Sequence, residues 1–301
     1  NSDGYSDRIY VGDMDGQVWR IDFDIDGNTG ASDFATGGVI ADLASTASWG
    51  ERRKFYYPPV PALFSDAELG NFIALGIGSG HRANPLGTTG KLIDDRFYMI
   101  KDHDVFTVPT TYTAITESDL LDVTATLQPT TANLLANEGW MIDLRENEKI
   151  ITKALALDNR FFFNSYIPGS SGDVTCDPAG GVGQGRSWIV GIGTGTNARN
   201  GEPIDEDGDG DWDFVEDGDS VCSHRCAETN SPFPPEPIMV FVEPDTEEGA
   251  TCDGMAQVAT VIGSEVINPD LCTKPVQTYW RQLEPTDPLT TTIWDEDVPS
   301  L

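Results

Sequence analysis

Short apolar segments recur along the whole chain, each about 4–8 residues long and broken by clusters of Gly, Pro, Asn and Asp; they read as short β-strands rather than long helices. The clearest unit is "RIYVGDMDGQVWRIDF", Arg8 to Phe23. Ile9 and Val11 alternate with polar neighbours, Asp15-Gly16 is a tight-turn dipeptide, and Val18, Trp19 and Ile21 resume on a return strand. The pattern predicts a hairpin, with Asp13 and Asp15 serving the turn and Asp22 and Asp24 continuing the strand with outward carboxylates. One stretch breaks the pattern. "SDLLDVTATLQPTTANLLAN", Ser118 to Asn137, predicts one or two short helices inserted between strands, and "GWMIDLRENEKIITKALALDNRFFFNSYIP" then returns to strands with Arg145 to Glu148 as a turn.

Pieces of the pattern repeat. Asp7-Arg8-Ile9-Tyr10, Asp95-Arg96-Phe97-Tyr98 and Asn159-Arg160-Phe161-Phe162 share one strand start. "ALGIGSG" (Ala74 to Gly80) and "IVGIGTG" (Ile189 to Gly195) share a second element, of which "VATVIGSE" (Val258 to Glu265) is a looser copy. Repeated strand pairs at irregular spacing predict an all-β fold, a modified β-propeller segment of antiparallel blades with loop insertions and a short helical insertion; a β-sandwich is the alternative.

Charge narrows the function. The 301 residues carry 50 acids against 18 bases, a formal charge of −32. Nucleic acid is excluded as a partner because no basic patch is available to neutralise phosphates, and an anionic membrane is disfavoured for the same reason. No apolar run is long enough to span a bilayer. The glycine-rich segment after Gly169 is not a phosphate cradle, since no Gly-Lys-Ser/Thr follows and "RSWIVGIG" reads as a strand. Five cysteines, Cys176, Cys222, Cys226, Cys252 and Cys272, fit disulfides in an oxidising compartment better than zinc, because His224 lies between Cys222 and Cys226 and no fourth ligand is spaced nearby. The expected bridges are Cys222–Cys226 and Cys252–Cys272, with Cys176 unpaired or paired outside this stretch of chain.

The most charged stretch is "PIDEDGDGDWDFVEDGD", Pro203 to Asp219, in which nine of seventeen residues are acidic. Ca²⁺ takes oxygen ligands from positions 1, 3, 5, 7, 9 and 12 of a twelve-residue loop, with glycine at 6. Counting from Asp205 gives Asp207, Asp209, the Asp211 carbonyl, Asp213 and Glu216 in those places, and Gly210 at the sharp turn. Like charges about 4 Å apart repel by roughly 4 kcal/mol at an effective dielectric near 20, so such crowding calls for a cation; a solvated acidic loop is the alternative. Asp22, Asp24, Asp26, Gly27 and Asp33 form a second candidate loop, weakened by Gly30 at position 9.

In chain order, "YVGDMDGQVWRIDF", "GIGSGHR", "GWMIDL" with "RFFFNSYIP", "RSWIVGIGTGT" with its acidic loop, and "TYWRQL" resemble the C-terminal propeller of the PilY family, type IV pilus tip-associated adhesins and biogenesis factors. The resemblance runs from about Arg8 to Leu283. It implies a calcium-binding, non-enzymatic protein at the surface of a Gram-negative cell, at the pilus tip, whose partners are minor pilins or host and surface ligands and whose calcium loop influences pilus extension and retraction. Carried over by position, Asp205, Asp207, Asp209 and Asp213 bind through side chains and Asp211 through its carbonyl, while Glu216 lies outside the shorter family pattern. The chain lacks the von Willebrand A-like region of many members and carries motifs for only about three or four blades, so residues 1–301 are expected to be part of a C-terminal propeller. Two alternatives remain. One is a quinone-dependent propeller dehydrogenase, disfavoured because no adjacent cysteine pair, His-Glu-x-x-His or Gly-x-Ser-x-Gly is present. The other is a purely structural calcium-stabilised domain.

Overall fold

The structure is a computed structural model and describes residues 7–23, 34–44, 52–85, 94–126, 128–169, 183–196, 198–199, 202–203, 225–229, 233–242, 256–262 and 265–273. The expected hairpin is β1 (Arg8–Gly12) paired with β2 (Gln17–Phe23), and β3 (Ala35–Asp42) extends it. The turn is built as its sequence requires: Asp13 Oδ1 accepts from the backbone N–H groups of Asp15 and Gln17, and Gly16 takes φ 85°. A second sheet runs β4 (Val60–Asp66), β5 (Gly70–Gly78) and β6 (Arg96–Asp102). The segment after β6 holds β7 (Ile115–Thr116), a single 3-10 turn at Glu117–Asp119, β8 (Leu121–Asp122) and helix α1 (Thr131–Ala136). The helical insertion is therefore present as two short pieces, and β9 (Gly139–Asp143) returns to the second sheet.

The third sheet comprises β10 (Leu155–Leu157), β11 (Arg160–Ile167) and β12 (Gln184–Gly191). After the small pair β13 (Ala198–Arg199) and β14 (Glu202–Pro203), it gains β15 (Cys226–Thr229). The fourth is the meander β16 (Ile238–Val242), β17 (Ala256–Ile262) and β18 (Glu265–Thr273). The fold is all-β, and among the described residues the pairing is antiparallel apart from two short parallel contacts made by β7 and β8.

These sheets follow one another in chain order and stack face to face, as propeller blades do. Val18, Ala41 and Leu43 of the first sheet and the chain just beyond it pack on Leu75, Ile77, Tyr98 and Ile100 of the second. The opposite face of the second sheet, with Phe72, Phe97 and Trp140, packs on Phe161, Phe163 and Trp188 of the third. Phe97 and Phe163 stack with ring centres 3.9 Å apart, and Trp188 continues the stack at 5.4 Å. Phe162 and Ile189, on the far side of the third sheet, meet Met239 of the fourth.

The glycines of "ALGIGSG" allow this approach. A Cβ at Gly76 would stand 2.6 Å from the Phe161 ring, and one at Gly78 would stand 2.5 Å from Ile150. The three related Arg-containing starts do each open a strand, β1, β6 and β11. They occupy the first, third and second places of their sheets, so the recurrence is of strands and not of blade register.

The first hairpin departs from expectation in its polarity. Asp22 is buried, together with Arg20 and Val18, whereas Ile9, Val11 and Trp19 are 42, 41 and 38 % exposed. The carboxylate predicted to face outward points at the second sheet, because arginines on both strands and Tyr112 from the loop after β6 are there to neutralise and hydrogen-bond it.

Candidate functional site

Asp205, Asp207, Asp209, Asp211, Asp213 and Glu216 lie outside the described residues, between β14 and β15; the same holds for Asp24, Asp26 and Asp33 of the second candidate loop. The two flanks of the main loop are described. On the entry side, β13 and β14 pair antiparallel, Ala198 with Pro203 and Arg199 with Glu202. On the exit side Arg225 is fully buried. Its guanidinium donates to the carbonyls of Val123 (2.6 Å), Thr126 (2.7 Å) and Thr124 (3.2 Å). Burial lowers its pKa to about 10, against the opposing pull of Asp122. Cys226, next in sequence, is buried and disulfide-bonded and sits opposite Trp188 on β12. Cys222, its expected partner, lies outside the described residues. The exit of the acidic segment is thus anchored by Arg225 and Cys226, while its entry follows the small β13–β14 pair.

Asp22 is committed elsewhere. Arg20 donates to both its oxygens (2.8 and 3.0 Å), Arg8 donates at 2.7 Å and the Tyr112 hydroxyl at 2.8 Å. Burial acts to raise its pKa, but these hydrogen bonds outweigh it and hold the carboxyl below the usual range. An aspartate so occupied has no oxygen to spare for a metal, which removes the first ligand of the second loop. Asp13 is likewise spent on its turn and on the Trp19 indole N–H, 3.0 Å away. Among the described residues no three His, Cys, Asp or Glu side chains converge as a metal site.

What does converge is a buried ionic centre that no motif announced. Arg20 also binds both oxygens of Asp102, at 2.9 and 3.0 Å, and the Tyr10 hydroxyl donates to Asp102 Oδ2 at 2.5 Å. The register explains the cluster: Arg8 lies opposite Asp22 and Tyr10 opposite Arg20, so one face of the hairpin delivers four polar side chains to one spot. A second knot joins the same layers, where Glu117 accepts from Arg53 and Tyr98 at 2.5 Å each and pairs with Arg96 at 2.9 Å. Lys101 Nζ donates to the carbonyls of Leu134 (2.6 Å) and Asn137 (2.8 Å), which closes the C-terminus of α1. These groups set the insertion on the sheets.

The stacked-sheet architecture has a counterpart of known structure. The fold is similar to that of the PilY1 C-terminal domain. The solved domain, from Pseudomonas aeruginosa, superposes with a TM-score of 0.54 over 89 % of this chain, at 13 % sequence identity. The aligned region spans 58 % of the PilY1 domain. At this identity the likeness to PilY1 is one of fold. No protein-family model matches the sequence, and no curated protein matches it. Among the described residues, no helix is long and apolar enough to cross a membrane.

Proposed function

We propose that this chain is a propeller-like module of a type IV pilus-associated surface protein of the PilY kind, without enzymatic activity, and that Asp205, Asp207, Asp209, the Asp211 carbonyl and Asp213 hold Ca²⁺, with Glu216 or water completing the shell. The observation that carries the pilus reading is the fold likeness to the PilY1 domain across most of the chain, joined to the ordered motifs of the sequence. The donor set supports the ion: hard carboxylate oxygens at alternate positions around Gly210 suit Ca²⁺ and its flexible shell better than Mg²⁺, which demands tighter octahedral geometry. The anchored exit at Arg225–Cys226 gives the loop a base on which occupancy can be read out as order. In this reading the protein sits outside the cell at the pilus tip, with minor pilins or a host surface as partners.

Calcium titration by calorimetry on the chain and on Asp209→Ala tests the metal site. Binding with Kd in the range of about 10⁻⁶ to 10⁻³ M, abolished by the substitution, is the expected result. No heat at millimolar calcium, or equal binding by the variant, refutes it. Antibody labelling of pili sheared from the source cells tests the location separately.

A further inference from the structure

Between β6 and β7 the chain crosses the surface as a loop, residues 103–114, with no strand of its own. Its path is set from beneath. The carbonyls of Asp104 (3.2 Å) and Thr107 (2.6 Å) accept from Arg20, and those of Val105 (3.4 Å) and Thr107 (3.1 Å) accept from Arg8. The Tyr112 hydroxyl ties the far end to Asp22. On this held backbone Phe106 stands 91 % exposed and Val108 54 % exposed. Neither position contributes much to the core, so the ordering of the loop is not explained by burial of its own apolar side chains.

Beside this knob opens a cavity of about 410 Å³. Pro109, Tyr112 and Ile115 supply apolar wall, while Asp104, Asp119 and Glu138 supply negative charge. Arg20, Lys101 and His103 also line it. Arg20 is directed to Asp22 and Asp102, Lys101 to the carbonyls that close α1, and His103 Nε2 lies 3.1 Å from Glu138 Oε2 at the rim.

We propose that the 103–114 loop and this cavity form a docking surface for a protein partner that offers an apolar slot for Phe106 and Val108 and a Lys or Arg side chain for the cavity. Charge complementarity selects the occupant. A second copy would bring another −32 charges to a negative rim, and an anionic lipid surface is repelled in the same way. A rigid exposed aromatic beside a charged recess is the arrangement that concentrates binding energy in few contacts, and a loop already held in place loses little freedom on binding. None of these residues belongs to the acidic loop, so this inference stands or falls apart from the calcium site.

A dodecapeptide phage library panned on the full chain, with and without calcium, tests it. Counter-selection uses the double variant Phe106→Ser, Val108→Ser, which keeps every charge and, by exposure, the fold; near-UV circular dichroism checks the latter. The expected peptides carry Lys or Arg beside Leu, Phe or Trp, and bind the double variant roughly tenfold or more weakly. Asp104→Asn with Glu138→Gln should weaken them further and flatten the salt dependence. The proposal is overturned by recovery of no such peptide, by equal binding to the double variant, or by Phe106-dependent binding to phosphatidylglycerol vesicles in place of peptides.

Discussion

Arg20 on β2 and Asp102 on β6 share two hydrogen bonds, 2.9 and 3.0 Å long, across the boundary between the first and second sheets. Both are buried, so the pair has given up its water and depends on its partners. Arg20→Ala leaves Asp22 and Asp102 each short of a cation, and should cost about 3–5 kcal/mol of unfolding free energy. The pair replaced together, Arg20→Met with Asp102→Leu, should lose clearly less than the two single changes summed. Urea denaturation of the parent protein, Arg20→Ala, the singles Arg20→Met and Asp102→Leu, and their double variant measures this. A single-variant loss below about 1 kcal/mol, the scale of a surface ion pair, would show that the centre is wet.

Gly76 is a packing constraint of a different kind. Its missing side chain is the space that the buried Phe161 ring fills. Gly76→Ala should destabilise by about 1–3 kcal/mol through overpacking, and Phe161→Leu in the same chain should recover part of the loss. Thermal unfolding of the single and double variants decides whether the two positions are coupled.

Asp22 gives a signed pH dependence. Its folded pKa is depressed, so the unfolded chain binds more protons as pH falls past the ordinary carboxylate range. The stabilisation is full above the unfolded pKa, near about 4, and is lost as pH drops through the lower folded value. The stability gap between the protein and Asp22→Asn should therefore be constant from neutral pH down to about 5 and close below about 4. The comparison with the variant matters because the −32 charge relaxes over the same range and acts in the opposite direction. A gap that stays constant into strong acid would mean that the Asp22 carboxylate is not held by Arg8 and Arg20.

The strands, the first hairpin and the helical insertion were legible because period-two alternation and turn dipeptides are local signals. The facing of that hairpin was not. Alternation separates Ile9, Val11 and Trp19 from Arg8, Arg20 and Asp22, but it does not say which set turns inward. The answer lies in Asp102 and Tyr112, more than 80 residues away. The Arg-containing repeats were real as strand starts yet misleading as blade markers, because β1, β6 and β11 hold different places in their sheets. The spacing of Asp205 to Glu216 is readable without any tertiary contact, since the ligand set proposed for calcium would come from one short loop; those residues lie outside the described ones. Phe106 gave no signal, because one aromatic in a polar segment looks the same whether it is buried or displayed.

The short segment from Ile115 to Asp122 adds β7 beside β3 of the first sheet and, a few residues later, β8 beside β9 of the second. Glu117, between the two, is gripped by Arg53, Arg96 and Tyr98. This stretch works as a clasp: neither sheet can peel from its neighbour without stripping a strand from its own edge. The first two sheets then behave as one cooperative unit, and their amides should open to exchange together instead of in succession.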